Sequence, residues 1–290
     1  MSRARTGAFV ALALLAAASA VGQSPKTPPI DVLGLLARVG ERVAAYYERA
    51  QSIMCVETMT FQALSNSPQD PYARTLTYDL RVSWDKSTGD VPAEPSVLRT
   101  LKTVNGKTPK AGDEPHCLDP KPISLDPLQF LLPRHQAEYQ FTYKGIGKTA
   151  DGHSGVMIDY APLSKAKPEF KWNDTCFSVD APARTTGRLW VDRFEGDILQ
   201  VDETLAGPIE VPIPEKERRV SGVAFLTIDR SDSSIRYRTV TFTDPNEIVL
   251  LPETTEQLTV LRSGGPARQK TTHKFTGYQR FVTSGKLVEP

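Results

Sequence analysis

Beyond residue 20, no stretch of this 290-residue chain is apolar for the roughly 20 residues a membrane-spanning helix needs. An excess of one charge is lacking as well. Without Arg3 and Arg5 of the first segment, 33 basic residues face 34 acidic ones, and no basic cluster occurs. That balance argues against nucleic acid and against an anionic membrane surface as partners. Cysteine is scarce: Cys55, Cys117 and Cys176 allow one bridge, with three possible pairings. Cys117 and Cys176 sit in polar, turn-rich surroundings, where loops meet disulfide geometry most easily, so that pair is the favoured one. Cys55 lies in an apolar strand phase and reads as a small buried side chain rather than a catalytic thiol.

Complete catalytic and metal motifs are also missing. Gly145-Ile146-Gly147-Lys148-Thr149 ends like a phosphate-binding loop, but Thr142 stands where such a loop has glycine, and no helix follows. A hairpin loop is the expected structure there. Gly152-His153-Ser154-Gly155 resembles part of a nucleophile elbow, yet Val156 replaces its last glycine and antiparallel strands flank it. A hydrolase built on Ser154 with His153 or His273 is therefore disfavoured. Asp113, Glu114, His116, Cys117 and Asp119 include metal-ligand types without a metal-site spacing, so neither a metal nor a cofactor is expected. Asn173-Asp174-Thr175 is a glycosylation sequon.

What is present begins with an export signal. Arg3 and Arg5 precede a short apolar run from Ala8, and Ala18-Ser19-Ala20 has the small residues of a cleavage site. The expected organisation is a signal peptide over 1–20, a flexible Pro-bearing leader over 21–29, and one domain over 30–285. Export places the mature chain in a periplasm or outside the cell. Val21, not a cysteine, stands directly after the cleavage site, which argues against a lipid-anchored N-terminus.

From Asp31, an N-cap residue, Val32, Leu36, Val39, Val43, Tyr46 and Ala50 recur every three or four positions. That spacing predicts an amphipathic helix reaching Ile53. Strand patterns follow. Leu76, Tyr78, Leu80, Val82 and Trp84 alternate with Thr75, Thr77, Asp79, Arg81 and Ser83, so one face is buried and one wet. Asn105-Gly106 predicts a type I′ hairpin turn. A short helix is expected from Asp126-Pro127 to Leu132, stopped by Pro133. Further strands are expected at 138–143, 156–161 and 170–179, then a tight pair at 187–192 and 197–205. Residues 207–214 read as a loop. Strands at 220–230 and 234–243 flank a Ser/Asp turn, and 254–262 and 269–282 close the chain.

About eleven strands with short connections and no βαβ rhythm give an α+β, β-dominated fold. Strand twist accumulates over so many strands, so the antiparallel sheet curls. An incomplete barrel packed on the long N-terminal helix and the one short helix is expected. Whatever the helices fail to fill is left as a cavity, with Tyr46, Leu80, Val82, Trp84 and Phe141 as candidate lining residues.

The exported N-terminus, the helix running into the first strand, the hairpin Gly187-Arg188-Leu189-Trp190-Val191-Asp192 to Gly196-Asp197-Ile198-Leu199-Gln200-Val201-Asp202-Glu203, and the closing Lys274-Phe275-Thr276-Gly277-Tyr278-Gln279-Arg280-Phe281 together resemble the LolA/LolB-like outer-membrane lipoprotein carrier superfamily. The resemblance implies a half-open antiparallel barrel enclosing helices, and a hydrophobic cavity that takes up lipid or acyl chains. Related folds serve as periplasmic stress sensors. The expected function is thus a non-enzymatic periplasmic protein that binds an apolar ligand, a lipid or a lipoprotein acyl chain, on the concave face of the sheet. The alternative is an envelope interaction module whose cavity is plugged by its own helix and whose loops or sheet edges bind another protein.

Overall fold

The structure is a computed structural model that describes residues 30–49, 53–64, 72–84, 95–113, 128–173, 176–216, 218, 222–243, 246–262 and 268–280. The expected signal and leader, Cys117, Asp126-Pro127 and the tip of the last hairpin lie outside the described residues. So do Asp174 and Thr175 of the sequon and the side chains of Asn173, Trp84 and Cys176.

Helix α1 (Val32–Arg49) forms within the predicted span, while Ile53, expected at its end, begins the first strand instead. Its stripe is buried: Leu35 and Val39 are fully covered, and Leu36, Val43 and Tyr46 nearly so. The strands are β1 (Ile53–Ala63), β2 (Tyr72–Trp84), β3 (Pro95–Val104), β4 (Tyr139–Lys148), β5 (Ser154–Pro162), β6 (Glu169–Asn173), β7 (Cys176–Asp180), β8 (Thr185–Val191), β9 (Ile198–Leu205), β10 (Ile209–Pro212), β11 (Phe225–Thr243), β12 (Asn246–Arg262) and β13 (Arg268–Arg280). Eleven of them form one sheet in the order β3-β2-β1-β13-β12-β11-β9-β8-β5-β4, with β10 paired to β11 off this path. The sheet is antiparallel, curled and not closed, and β3 and β4 are its edges. Among the described residues, β6 and β7 pair with each other in a separate two-stranded sheet.

Two neighbouring rows of cross-strand partners show how the sequence divides the sheet. One row runs Val104, Leu76, Met59, His273, Thr255, Ile235, Val201, Leu189, Ile158, Tyr143. The next, on the opposite face, runs Thr75, Thr60, Thr272, Glu256, Ser234, Asp202, Arg188, Asp159, Thr142. The first is mostly aliphatic and buried, and every member of the second is polar. Strict alternation produces this split because successive side chains leave opposite faces of a strand.

Helix α1 covers the apolar face together with a 3-10 turn at Gln129–Leu131 and helix α2 (Pro133–Gln136). Leu128 and Leu131 are buried in that cover. The Gln136 amide donates to Leu36 O at 2.9 Å and to Leu131 O at 2.7 Å, tying the three pieces together. A second cluster lies at the far end, where Phe170, Trp172, Phe177 and Val179 of the β6–β7 hairpin pack on Ile209, Val211, Leu226 and Ile228.

Several boundaries differ from those the sequence suggested. Pro133 starts α2 instead of ending a helix, because its fixed φ suits a first helical position. Gly145–Lys148 continues β4, with a bulge at Lys144, so the expected hairpin loop is strand and the turn comes at Thr149–His153. Residues 170–179 form two short strands rather than one. Residues 209–212 pair as β10 within the expected loop. The Ser/Asp run at 231–234 is no turn: it lies within the continuous strand β11, where alternate residues sit on the polar face. Residues 246–253, unassigned from the sequence, are the first half of β12. The type I′ turn forms as expected, with φ of 49° at Asn105 and 75° at Gly106.

Candidate functional site

A cavity of about 570 Å³ lies where α1 leaves the apolar face uncovered. Its apolar lining includes Val43, Ala45 and Tyr46 of α1, Leu128 of the segment before the 3-10 turn, Ile198 of β9, and Val249 of β12. The α1 residues arrive by helical spacing, since 42–43 and 45–46 fall on neighbouring turns of one face. Arg42, Glu195, Asp197 and Glu247 supply its charged lining.

The β8–β9 turn positions that charge. Asp192 Oδ1 accepts from the Phe194 and Glu195 N–H groups at 2.8 and 2.7 Å, which folds the turn tightly. Gly196 then passes so close to α1 that an added Cβ would stand 3.2 Å from the Arg38 Cβ. Arg42 donates from Nη2 to Glu195 Oε2 at 2.6 Å and from Nε to the Glu195 carbonyl at 3.0 Å. Its Nε is also 3.5 Å from Asp197 Oδ1. Burial pushes the Asp197 carboxyl above its usual range; Arg42 opposes this, and Glu195 and Asp192 add to it. Glu247 pairs with Arg280. The site therefore offers an apolar interior with charged groups beside it, which suits a ligand with a long apolar part and a polar end.

The candidate lining residues fall in different places. Tyr46 lines this cavity, with its ring 5.2 Å from that of Tyr47 in an edge arrangement. Leu80 and Val82 pack with Cys55 and Phe275 in a separate buried cluster. Phe141 neighbours Tyr139, with centroids 6.4 Å apart, and Tyr139 in turn neighbours Phe130. Cys55 is free and buried. Burial, chiefly, with the nearby Glu57 carboxylate, pushes its thiol up to about 12, so it stays protonated. Ser154 begins β5 opposite Lys148 and is exposed, His153 lies 3.6 Å from Asp151, and His273 is held by Glu57 inside the sheet. Sequence reasoning missed the contribution of β12, Ile248-Val249-Leu250. The signal was there in the apolar run Ile248–Leu251, which lacks the alternation that marks a one-sided strand.

A second hollow, of about 780 Å³, lies on the polar face. Among the described residues no group of three or more His, Cys, Asp or Glu is placed to hold a metal ion, and no helix is long and apolar enough to cross a membrane.

No family model matches this chain, and no curated protein does. Among solved structures, it is similar to a DUF1329 family protein from Desulfovibrio piger, at 10% identity over 88% of this chain and 95% of that one, with a TM-score of 0.39. It is also similar to a LolA superfamily protein from Nitrosomonas europaea, the superfamily the sequence resembles, at 8% identity over 89% of this chain and 97% of that one, with a TM-score of 0.32.

Proposed function

We propose that this is an exported, non-enzymatic periplasmic protein that holds an apolar chain, from a lipid or the acyl part of a lipoprotein, between α1 and the sheet. The observation that carries this reading is the 570 Å³ cavity beside Val43, Tyr46, Leu128, Ile198 and Val249. Its size falls within the roughly 300–1,000 Å³ of small-molecule sites. Apolar walls reward burial of a hydrocarbon chain at roughly 0.8 kcal/mol per CH₂, so about ten methylenes contribute roughly 8 kcal/mol toward offsetting the freedom lost on binding. Arg42, Glu195 and Asp197 stand beside the cavity to meet a polar end group. Export rests on the sequence signal alone, and N-terminal sequencing of the mature protein tests it by looking for a start near Val21.

The binding reading is tested on protein purified without detergent, by native mass spectrometry followed by solvent extraction. The expected result is a bound lipid at one per chain, or uptake of one fluorescent fatty acid per chain when it is offered. Protein that carries no lipid and takes up no fatty acid contradicts the proposal.

A further inference from the structure

The polar face of the sheet carries a second binding site, and we propose that its ligand is an uncharged oligosaccharide. The site lies on the side of the sheet away from α1, so it neither uses nor depends on the apolar cavity. Its hollow of about 780 Å³ is lined from strands β5, β8, β9, β11, β12 and β13. Five inter-strand spacings of about 4.8 Å give it a length of about 24 Å, which suits a chain of sugar rings rather than a single one.

The lining carries charges of both signs along the sheet. Arg188 holds Asp159 in a two-pronged pair, with Nε–Oδ1 at 2.5 Å and Nη2–Oδ2 at 3.1 Å. Its guanidinium also lies over the Trp190 ring, 5.9 Å from the centroid. Asp202 accepts from Gln200 at 2.7 Å, and Glu256 is bridged by Lys270 at 3.0 Å. Each of these carboxylates already has a partner, as do Glu203, with the Tyr160 hydroxyl, and Asp232, with Arg230, so the hollow presents few unpartnered charges to a ligand. The side chains are held in fixed rotamers by their pairs, and carboxylate oxygens keep lone pairs to spare. A group that both donates and accepts fits such a surface best, and the hydroxyls of a sugar do both. Binding then pays little side-chain entropy, because the pairs have already ordered the lining.

Trp190 supplies an independent sign of a missing partner. It lines the hollow at 8% exposure, and its indole N–H has no hydrogen-bond partner among the described residues. A buried donor without an acceptor is costly, and a ligand oxygen would satisfy it.

The test is isothermal titration of the whole chain with three neutral pentasaccharides, maltopentaose, cellopentaose and chitopentaose, and with an uncharged pentapeptide of glycine and serine. Saturable binding of at least one sugar and none of the peptide is expected. Trp190→Phe, which keeps an aromatic ring but removes the N–H, should weaken that binding at least roughly three- to tenfold, the effect of one hydrogen bond. Ser234→Phe, which fills the middle of the polar row from a half-buried strand position, should abolish it while leaving fatty-acid uptake intact. Failure of all three sugars to bind overturns the proposal. So does a peptide that binds as well, or sugar binding that survives Ser234→Phe.

Discussion

Glu57 is a charged residue buried in the sheet, only 1% exposed on β1, the third strand from one edge. Arg99 reaches it from β3, across β2, with Nε–Oε2 at 2.7 Å and Nη2–Oε1 at 3.1 Å, and His273 Nδ1 approaches Oε1 at 2.7 Å. Burial pushes the Glu57 carboxyl up, but the hydrogen bonds from His273 and Arg99 outweigh it and hold the group below its usual range. Replacing Glu57 by Ala removes the buried carboxylate to which both Arg99 and His273 bond, and a loss of about 3–5 kcal/mol is expected by urea unfolding. The pH dependence has a definite sign. With a lowered folded-state pKa, the unfolded chain takes up the proton first, so stability from Glu57 is present above about pH 4.5 and falls away as the solution becomes more acidic. Glu203 behaves oppositely. Burial raises its carboxyl, against the Tyr160 hydroxyl donating at 2.7 Å, so ionising it in the fold costs stability as pH rises. Glu203→Gln should therefore flatten the loss of stability on the alkaline side of pH 4.5, and Glu57→Gln the loss on the acid side. Unfolding midpoints measured from pH 3 to pH 8 separate the two. Neither role is legible in the sequence, since what distinguishes Glu57 from other strand carboxylates is the pair of partners brought from residues 99 and 273.

The elements fit together through close contacts and guarded edges. Gly40 sits where α1 meets Gln136, and an added Cβ would stand 2.8 Å from the Gln136 Nε2 and 3.2 Å from the Leu131 carbonyl. Gly40→Ala is expected to destabilise by about 1–3 kcal/mol through this overlap, despite the better helix propensity of alanine, as thermal unfolding would show. Both edge strands of the sheet carry a bulge with a lysine at it, Lys102 in β3 and Lys144 in β4. Bulges and lysines blunt an edge that would otherwise template pairing with another chain. Lys144→Val should accordingly raise self-association, read as a concentration-dependent mass in light scattering. Element positions were legible where one face is buried and one wet, as in α1, β2 and the Asn105-Gly106 turn. They were not legible where that contrast fails. The Ser231–Ser234 stretch looks like a turn because it is polar on both faces, yet tertiary pairing on both sides, with β9 and β12, keeps it extended. Conversely, Ile248–Leu251 is apolar on both faces and gave no period to read.

At the scale of the molecule, one two-faced sheet explains both hollows. Its aliphatic face needs a cover, and α1, the 3-10 turn and α2 supply most of one, leaving the cavity beside Tyr46. Its polar face needs none and stays open to water. The architecture was readable because the apolar face must be buried somewhere and only the helices were available to bury it. The cavity walls were not, because they depend on which parts of that face the helices leave bare: Tyr46 lies there, and Val43, Ile198 and Val249 join it from three elements far apart in sequence. The measurement that bears most directly on this account is a titration of the mature chain and of Val43→Trp with a fluorescent fatty acid. The account predicts one site per chain in the unaltered protein and loss of uptake in the variant, whose larger side chain occupies the cavity, with the thermal unfolding midpoint still showing a folded protein. Equal uptake by the two, or none by either, would contradict it.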